Sequence, residues 1–301
     1  MCWAGQRMID DIPSCLKVDA LGGSAIPLTS AYDAAAPTFD CHRALPDGTA
    51  DAVREAILGS ILGSIATASP RLLDLGAGTG RIGRPFVAAG DDYVGADLSL
   101  GMLCEFARRA DSSSRYAPRL MQADGEHLPF RDATFDAVML IQVMGAARDW
   151  RRLIAEGRRV LRSPGALVIG QSLMPSDGLD ARMKQHLASY LDRKGAVSYH
   201  VNAREDVRHR LEAIAHSSTR VIAAAWSAER TPRGFLDRQR SGAQFSKLPA
   251  PVKEEALSDL RAWAAATFGS LDAAFTERHA FELLVFKFHD GGGCRHAGEN
   301  R

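Results

Sequence analysis

A doubly wound α/β fold is the architecture this sequence predicts, and three observations carry the prediction. Between residues 71 and 170, short apolar runs alternate with helical stretches of about ten residues, the pattern of βαβ units around a parallel sheet. The first apolar run breaks into a glycine-rich loop, Gly76-Ala77-Gly78-Thr79-Gly80. Asp74, Asp97 and Asp124 stand at the ends of three successive runs, on the edge where open α/β sheets bind ligands.

The elements follow in order. Residues 1–48 form a lead-in, broken early by Gly22-Gly23 and Pro27. Residues 49–66 carry apolar side chains at helical spacing, with Thr49 or Asp51 as the expected cap, and Pro70 separates them from the first strand. That strand covers 71–75, and the helix after the glycine loop covers 81–89, ended by Gly90. A second strand is expected at 93–97, a helix at 100–110 and a third strand at 120–123. The run FDAVMLIQV predicts a fourth strand at 135–143. A helix at 150–161 keeps Arg151, Arg152, Arg158 and Arg159 on its wet side, and Ser163-Pro164-Gly165 turns the chain into a fifth strand at 166–170. Beyond it the rhythm loosens. Helices are expected at 177–193, 203–215, 232–240 and 251–268, with strands at 220–226 and 280–289. The chain thus divides into a lead-in and lid (1–48), a core (49–230), a helical insertion (231–278), a last core strand (279–290) and a disordered tail (291–301).

Composition excludes several classes. The 301 residues are 46% apolar, 24% charged and 7% aromatic, values of a globular chain and not of a fibrous or mainly disordered one. That length buries a large core without staples. Lys+Arg at 37 against Asp+Glu at 36 gives a net charge of +1, with no global signal for nucleic acid or an anionic membrane. No run approaches the ~18 apolar residues of a membrane span, and the N-terminus lacks the apolar stretch of a secretory signal. The 5 cysteines are odd in number and none is spaced C-x-x-C, which argues against a disulfide framework or a zinc site. A cytoplasmic protein with reduced thiols and no metal is expected.

The chemistry concentrates around the glycine loop. Glycines there permit a sharp turn and a close ligand approach. Gly78, Gly80 and Gly83 also spell G-x-G-x-x-G, so a dinucleotide site has to be weighed. The neighbours argue otherwise. Asp74 stands where dinucleotide folds usually carry an apolar residue, and its carboxylate suits a cationic amine. Asp97 can accept from both hydroxyls of a ribose, and Asp124 from an exocyclic amine, with Gly125 opening backbone N–H groups to an adenine ring. The set matches an amine, a ribose and an adenine and demands no phosphate. The loop also lacks the lysine of a phosphate-binding P-loop.

In this combination the chain resembles the class I S-adenosylmethionine-dependent methyltransferases. Residues 72–170 are similar to the branch that includes the ubiquinone/menaquinone C-methyltransferases, through LLDLGAGTG, YVGADLSLGML, QADGEHLPFRDATFDAVML and RRVLRSPGALVIG. The resemblance implies a seven-stranded, mostly parallel sheet with an antiparallel last strand, and S-adenosylmethionine as cofactor. It implies Asp74, Gly76, Ala77, Gly78 and Gly80 near the methionine moiety and Asp97 on the ribose. Leu98 and Met102 would lie near the adenine, and Asp124, with Gly125 and Glu126, at its amine. Two strings depart from the branch: the fourth strand runs into Gln142 where a histidine is often found, and Ser163-Pro164-Gly165 replaces a P-G-G turn. The first departure sets a quinone-type acceptor in question.

For catalysis the sequence offers His42, Gln142 and Tyr32, with Gln142 facing the methionine carboxylate or the substrate. In the resembling proteins the region holding Tyr32, Asp33, Phe39 and His42 folds over the cofactor as a lid. His200 beside Tyr199 is a further ambiguous pair. The insertion is expected to cover the substrate, with Phe235, Phe245 and Trp263, together with Trp226, for apolar contact and Arg233, Arg238 and Arg240 for an anionic group. No Asn-Pro-Pro-Tyr-type motif follows the fourth strand, so a small-molecule acceptor is preferred to a nucleic acid or protein. Two other readings stay open: a SAM-binding regulatory protein without transferase activity, and an NAD(P)-dependent oxidoreductase using Gly78, Gly80 and Gly83.

Overall fold

Apolar residues on both faces of a strand require cover on both sides, and the central strands show it. In the computed structural model, which describes residues 30, 32–62, 65, 67–111, 116–196, 203–239, 245 and 248–288, strands β1 (Leu72–Leu75) and β4 (Phe135–Ile141) are buried at every position. Around them lie β2 (Tyr93–Asp97), β3 (Arg119–Gln122), β5 (Leu161–Leu173), β6 (Ser217–Arg230) and β7 (Phe275–Phe288). The seven strands pair in the order β3-β2-β1-β4-β5-β7-β6. All pairs from β3 to β5 are parallel, and β7 runs antiparallel to both β5 and β6. Strand order reverses between β1 and β4, the place where such sheets open a crevice at their carboxyl edge.

Helices cover both faces. A short helix α1 (Phe39–Arg43) follows a 3-10 turn at Asp33–Thr38. Helices α2 (Thr49–Ile61), α3 (Gly83–Ala89) and α4 (Leu100–Asp111) lie on one face, where Ile57, Phe86 and Phe106 pack with Leu72, Met139 and Val168. Helices α5 (Trp150–Val160) and α7 (Ala203–Ile214) lie on the other, where Leu153 and Leu211 pack with Leu73, Leu75 and Leu167. The switch from Leu72 to Leu73 between the two cores is the period-two alternation of a strand. A third core joins α6 (Leu179–Arg193), α8 (Pro232–Gln239) and α9 (Ala250–Phe268) through Leu187, Leu191, Phe235, Leu236 and Leu260. No helix of the described residues is long and apolar enough to cross a membrane.

The architecture agrees with the expected one, and the differences have local causes. The N-cap of α2 is Gly48 at φ 75°, with no side-chain cap, and neither Thr49 nor Asp51 takes that place. The Ser163-Pro164-Gly165 turn lies inside β5, as an irregularity between two paired stretches, so β5 is much longer than 166–170. Strand β7 starts at Phe275, inside the expected insertion, because Phe275–His279 pair with the end of β6. Helix α6 packs on the insertion and not on the sheet core. The tail 291–301, residues 1–29, Tyr199 with His200, and Arg240 lie outside the described residues, as does the side chain of His42.

Candidate functional site

The carboxyl ends of β1 to β4 open into one cleft with an empty volume of about 1190 Å³. Asp74, Gly76, Ala77, Gly78, Asp97, Leu98, Met102, Asp124, Gly125, Glu126 and Gln142 all line it. Gly80 does not. It turns at φ 76°, and a side chain there would run into the ring of Phe106, so it shapes the loop from behind. Gly76 is also left-handed, at φ 80°, and a side chain there would lie 2.5 Å from Val143 Cγ2, so the loop can pass β4 only with glycine at this point.

Asp74 is 2% exposed. Its Oδ2 accepts from the Tyr93 hydroxyl at 2.8 Å, while Oδ1 is buried with no hydrogen-bond partner. Burial pushes this carboxyl up to about 7, against the pull of the Tyr93 hydrogen bond, and nearby Asp97 adds to the rise. Burial and the Asp74 charge push the Tyr93 phenol upward too, so it stays protonated and donates.

Asp97 is fixed by the backbone. Its Oδ2 accepts from Gly78 N and its Oδ1 from Ser99 N, both at 2.8 Å. One carboxylate thereby ties the glycine loop to the start of α4, with lone pairs left over. Burial raises its pKa, and the two backbone donors oppose that. Ser99 itself caps α4, accepting from Met102 N at 3.2 Å. Asp124 accepts from Glu126 N at 3.0 Å and from Arg148 Nη2 at 2.7 Å. Glu126 accepts from the backbone N–H groups of Arg148 and Asp149, so it holds the segment that carries Arg148 over the cleft.

Gln142 ends β4 at φ 57°, a left-handed conformation rare outside glycine. Its Oε1 accepts from Arg81 Nη2 at 2.5 Å and its Nε2 donates to Ser172 Oγ at 2.7 Å. Gln142→Val is expected to destabilise the fold by about 1–3 kcal/mol, because a β-branched residue is strained at that φ, while Gln142→Asn should stay within about 0.5 kcal/mol on backbone grounds. Urea unfolding measures the difference, and equal midpoints for the two variants would show that the strain is not there.

The segment from Ser30 to Arg43 crosses the cleft as a strap and is pinned at two points. Asp33 accepts from Ser99 Oγ at 2.5 Å and from Gly101 N at 3.2 Å. Asp40 accepts from Thr79 Oγ1 at 2.5 Å and pairs with Arg109. Tyr32 and Phe39, in edge contact at 5.9 Å, line the cleft from above. Burial raises the Tyr32 phenol, a direction that suits a donor better than a base.

Behind Gln142 a second cavity opens, with an empty volume of about 2330 Å³. Tyr32, Phe39, Arg81 and Gln142 line both spaces, so the two meet there. Trp226 lines the second cavity, stacked on His279 at 5.9 Å. Phe235 and Phe245 are buried in the third core, and Trp263 stacks on His186, so none of these three reaches either cavity. Arg238 does reach the cavity, whereas Arg233 is exposed and paired with Asp272. Arg230 opens the basic stretch 230–240 that the sequence offers for an acidic substrate, whereas sequence reasoning missed Tyr93, Arg43, Arg81, Arg148 and the Glu277–His279 pair, whose Oε2···Nε2 distance is 3.2 Å. Arg81, directly after the glycine loop, was the one with a visible signal.

Over part of its length the chain is similar to known methyltransferases. Residues 73–169 match a family described as "Methyltransferase domain". The chain is 34% identical over 151 residues to "Demethylmenaquinone methyltransferase" of Thermobifida fusca, covering 50% of this chain and 63% of that protein. It is 32% identical over 148 residues to the protein of the same name from Renibacterium salmoninarum, covering 49% and 59%. The match thus spans about three fifths of those relatives' length. Among solved structures, the YcgJ protein of Bacillus subtilis aligns with a TM-score of 0.51 at 19% identity, over 79% of this chain and 100% of that one. The [4+2]-cyclase SpnF aligns with a TM-score of 0.50 at 17% identity, over 89% and 100%. These two likenesses bear on the fold alone.

Proposed function

From a chain that carries a class I methyltransferase domain, similar to the menaquinone C-methyltransferase branch, we propose a SAM-dependent methyltransferase acting on a small-molecule acceptor. One observation carries the reading: three carboxylates at successive strand ends line one cleft, and the buried one, Asp74, keeps an oxygen without a partner. A cationic amine fits that oxygen, a ribose fits Asp97, and an exocyclic amine fits Asp124. The residues present therefore suit S-adenosylmethionine, whose sulfonium supplies an already activated methyl group for in-line displacement.

In this reading Asp74 holds the amine, Asp97 orients the ribose, and Leu98 and Met102 flank the adenine. Gly76, Ala77 and Gly78 let the backbone come close to the methionine moiety. Gln142 and Arg81 stand at the seam between the cleft and the second cavity, where an acceptor atom would have to approach within about 3–3.5 Å of the methyl carbon. The strap and the helices packed on α6 form the cover that excludes water. Tyr32 is a hydrogen-bond donor on the acceptor side.

Calorimetry is expected to show micromolar binding of S-adenosylmethionine and S-adenosylhomocysteine, about −7 to −8 kcal/mol. Folded protein giving no heat with either would end the proposal. A SAM-binding protein without methyl transfer is the second reading, since a frame shared with a cyclase does not specify a reaction. Turnover to S-adenosylhomocysteine with any acceptor rules it out. An oxidoreductase gains little support, because the carboxylate of Asp74 beneath the loop has no role beside a pyrophosphate. Quenching of NADH fluorescence would favour it.

A further inference from the structure

We propose that the second cavity binds an acceptor carrying an oxyanion group, a carboxylate or a phosphate, seated against Arg43 and Arg230. This rests on the methyltransferase reading for the purpose of the cavity, and on the charge arrangement for its content.

Six guanidinium groups line the cavity; Arg208 and Arg220 pair with glutamates of the same wall, which leaves Arg43 from the strap, Arg81 after the glycine loop, Arg230 at the end of β6 and Arg238 in α8. The carboxylate among them is Asp180, which is 7% exposed. It pairs with Arg238 and lies 3.7 Å from Arg230. Arg43 and Arg81 make no ion pair among the described residues. Arg81 donates instead to the Arg43 carbonyl and to Gln142 Oε1, and both Arg43 and Arg81 lie over the ring of Phe39, at 5.6 and 5.5 Å. The Nε atoms of Arg43 and Arg230 are buried without a hydrogen-bond partner. The other acids on the cavity wall are engaged by their neighbours on that wall: Glu282 by Arg220 and Gln171, and Glu205 and Glu212 by Arg208.

Cations therefore outnumber anions on this wall; the Arg43 Nε–H has no acceptor, and the Arg230 Nε–H has only the Asp180 carboxylate at 3.7 Å. Buried donors are rarely left unpaired, and crowded like charges are tolerated where an anion joins them. Burial and the neighbouring Arg43 and Arg84 lower the Arg81 pKa to about 10, although Asp40 opposes the fall. Phe39, Trp226 and His279 give the same space flat walls, which suits an aromatic acid.

The test is calorimetry on the full chain, saturated with S-adenosylhomocysteine, using 4-hydroxybenzoate, 4-hydroxyphenyl phosphate and phenol as probes. At least one anion should bind tenfold or more tightly than phenol. The better of the two identifies the group as carboxylate or phosphate. Arg230→Gln should lower the anion's affinity at least fivefold and leave phenol and S-adenosylhomocysteine within twofold. Arg230→Lys should retain part of the anion's advantage, which separates lost charge from lost folding. Equal affinities for the three probes, no binding by any at millimolar concentration, or an anion preference that survives in the Arg43→Gln/Arg230→Gln double variant would overturn the proposal. If S-adenosylhomocysteine itself gives no heat, the methyltransferase reading fails, and the same probes titrated alone still decide the anion site.

Discussion

Asp97→Ala is expected to weaken S-adenosylhomocysteine by about 2–4 kcal/mol, on the order of 30- to 1000-fold. The size follows from two losses. Two ribose hydroxyls lose a charged acceptor, and the glycine loop loses the carboxylate that accepts from Gly78 N and Ser99 N. The backbone donors hold the Asp97 carboxylate in one orientation before any ligand arrives, so little ordering is left to do on binding. Asp97→Glu restores the charge but displaces it by a methylene, and should recover only part of the affinity. Wild-type affinity in Asp97→Ala would remove the ribose from this residue.

Asp74→Asn should move stability and affinity in opposite directions. The folded-state pKa of about 7 lies above the ordinary 3.8, so the folded protein holds a proton that the unfolded chain releases. Stability of the ligand-free protein therefore falls as pH rises from about 4 to 7, by as much as about 4 kcal/mol if the whole shift acts, and the cost persists above that window. An asparagine cannot ionise. At pH 8 the variant is expected to be more stable than wild type by about 1–3 kcal/mol, an advantage that should vanish near pH 4. Ligand binding reverses the order. A cationic amine favours ionised Asp74, so wild-type affinity should rise between pH 6 and 7, by up to about tenfold per unit, while an α-ammonium with pKa near 8 keeps its charge. The variant should bind weakly and without that slope. An unchanged pH slope in Asp74→Asn would assign the titration to another group.

The core was legible because its signals are local. Each parallel strand is a short apolar run, and Asp74, Asp97 and Asp124 each stand beside such a run at the edge that a doubly wound sheet turns toward its ligand. The ends of β5 and β7 were read short for a physical reason. Ser163-Pro164-Gly165 carries a turn signal that the ladder absorbs as an irregularity, and Glu277 and His279 in β7 break the apolar run that marks the rest of that strand. Trp226 shows a related limit. Val221 and Trp226 are an odd number of residues apart, yet both pack on the α2 face, because the register shift between Ile222 and Ala224 absorbs one residue. The second cavity was least legible. Arg43, Arg81 and the Arg230–Arg238 stretch come from three separate segments, and only the fold brings them to one space. Arg238 was anticipated from a basic helix, but Arg233 of the same helix turned out to serve a surface pair with Asp272.

The third core, formed by α6, α8 and α9, shares none of its buried residues with the two cores that flank the sheet. It begins at Leu179, after the matched methyltransferase segment has ended at residue 169. Packing couples neighbours strongly and distant sites weakly. Repacking around Leu187 or Phe235 therefore leaves the walls of the strand-end cleft under their own constraints. The two halves of the molecule are free to diverge at different rates. Under the proposed methyl transfer, a lineage exchanges one acceptor for another by reworking a helical layer while it inherits the strand ends unchanged.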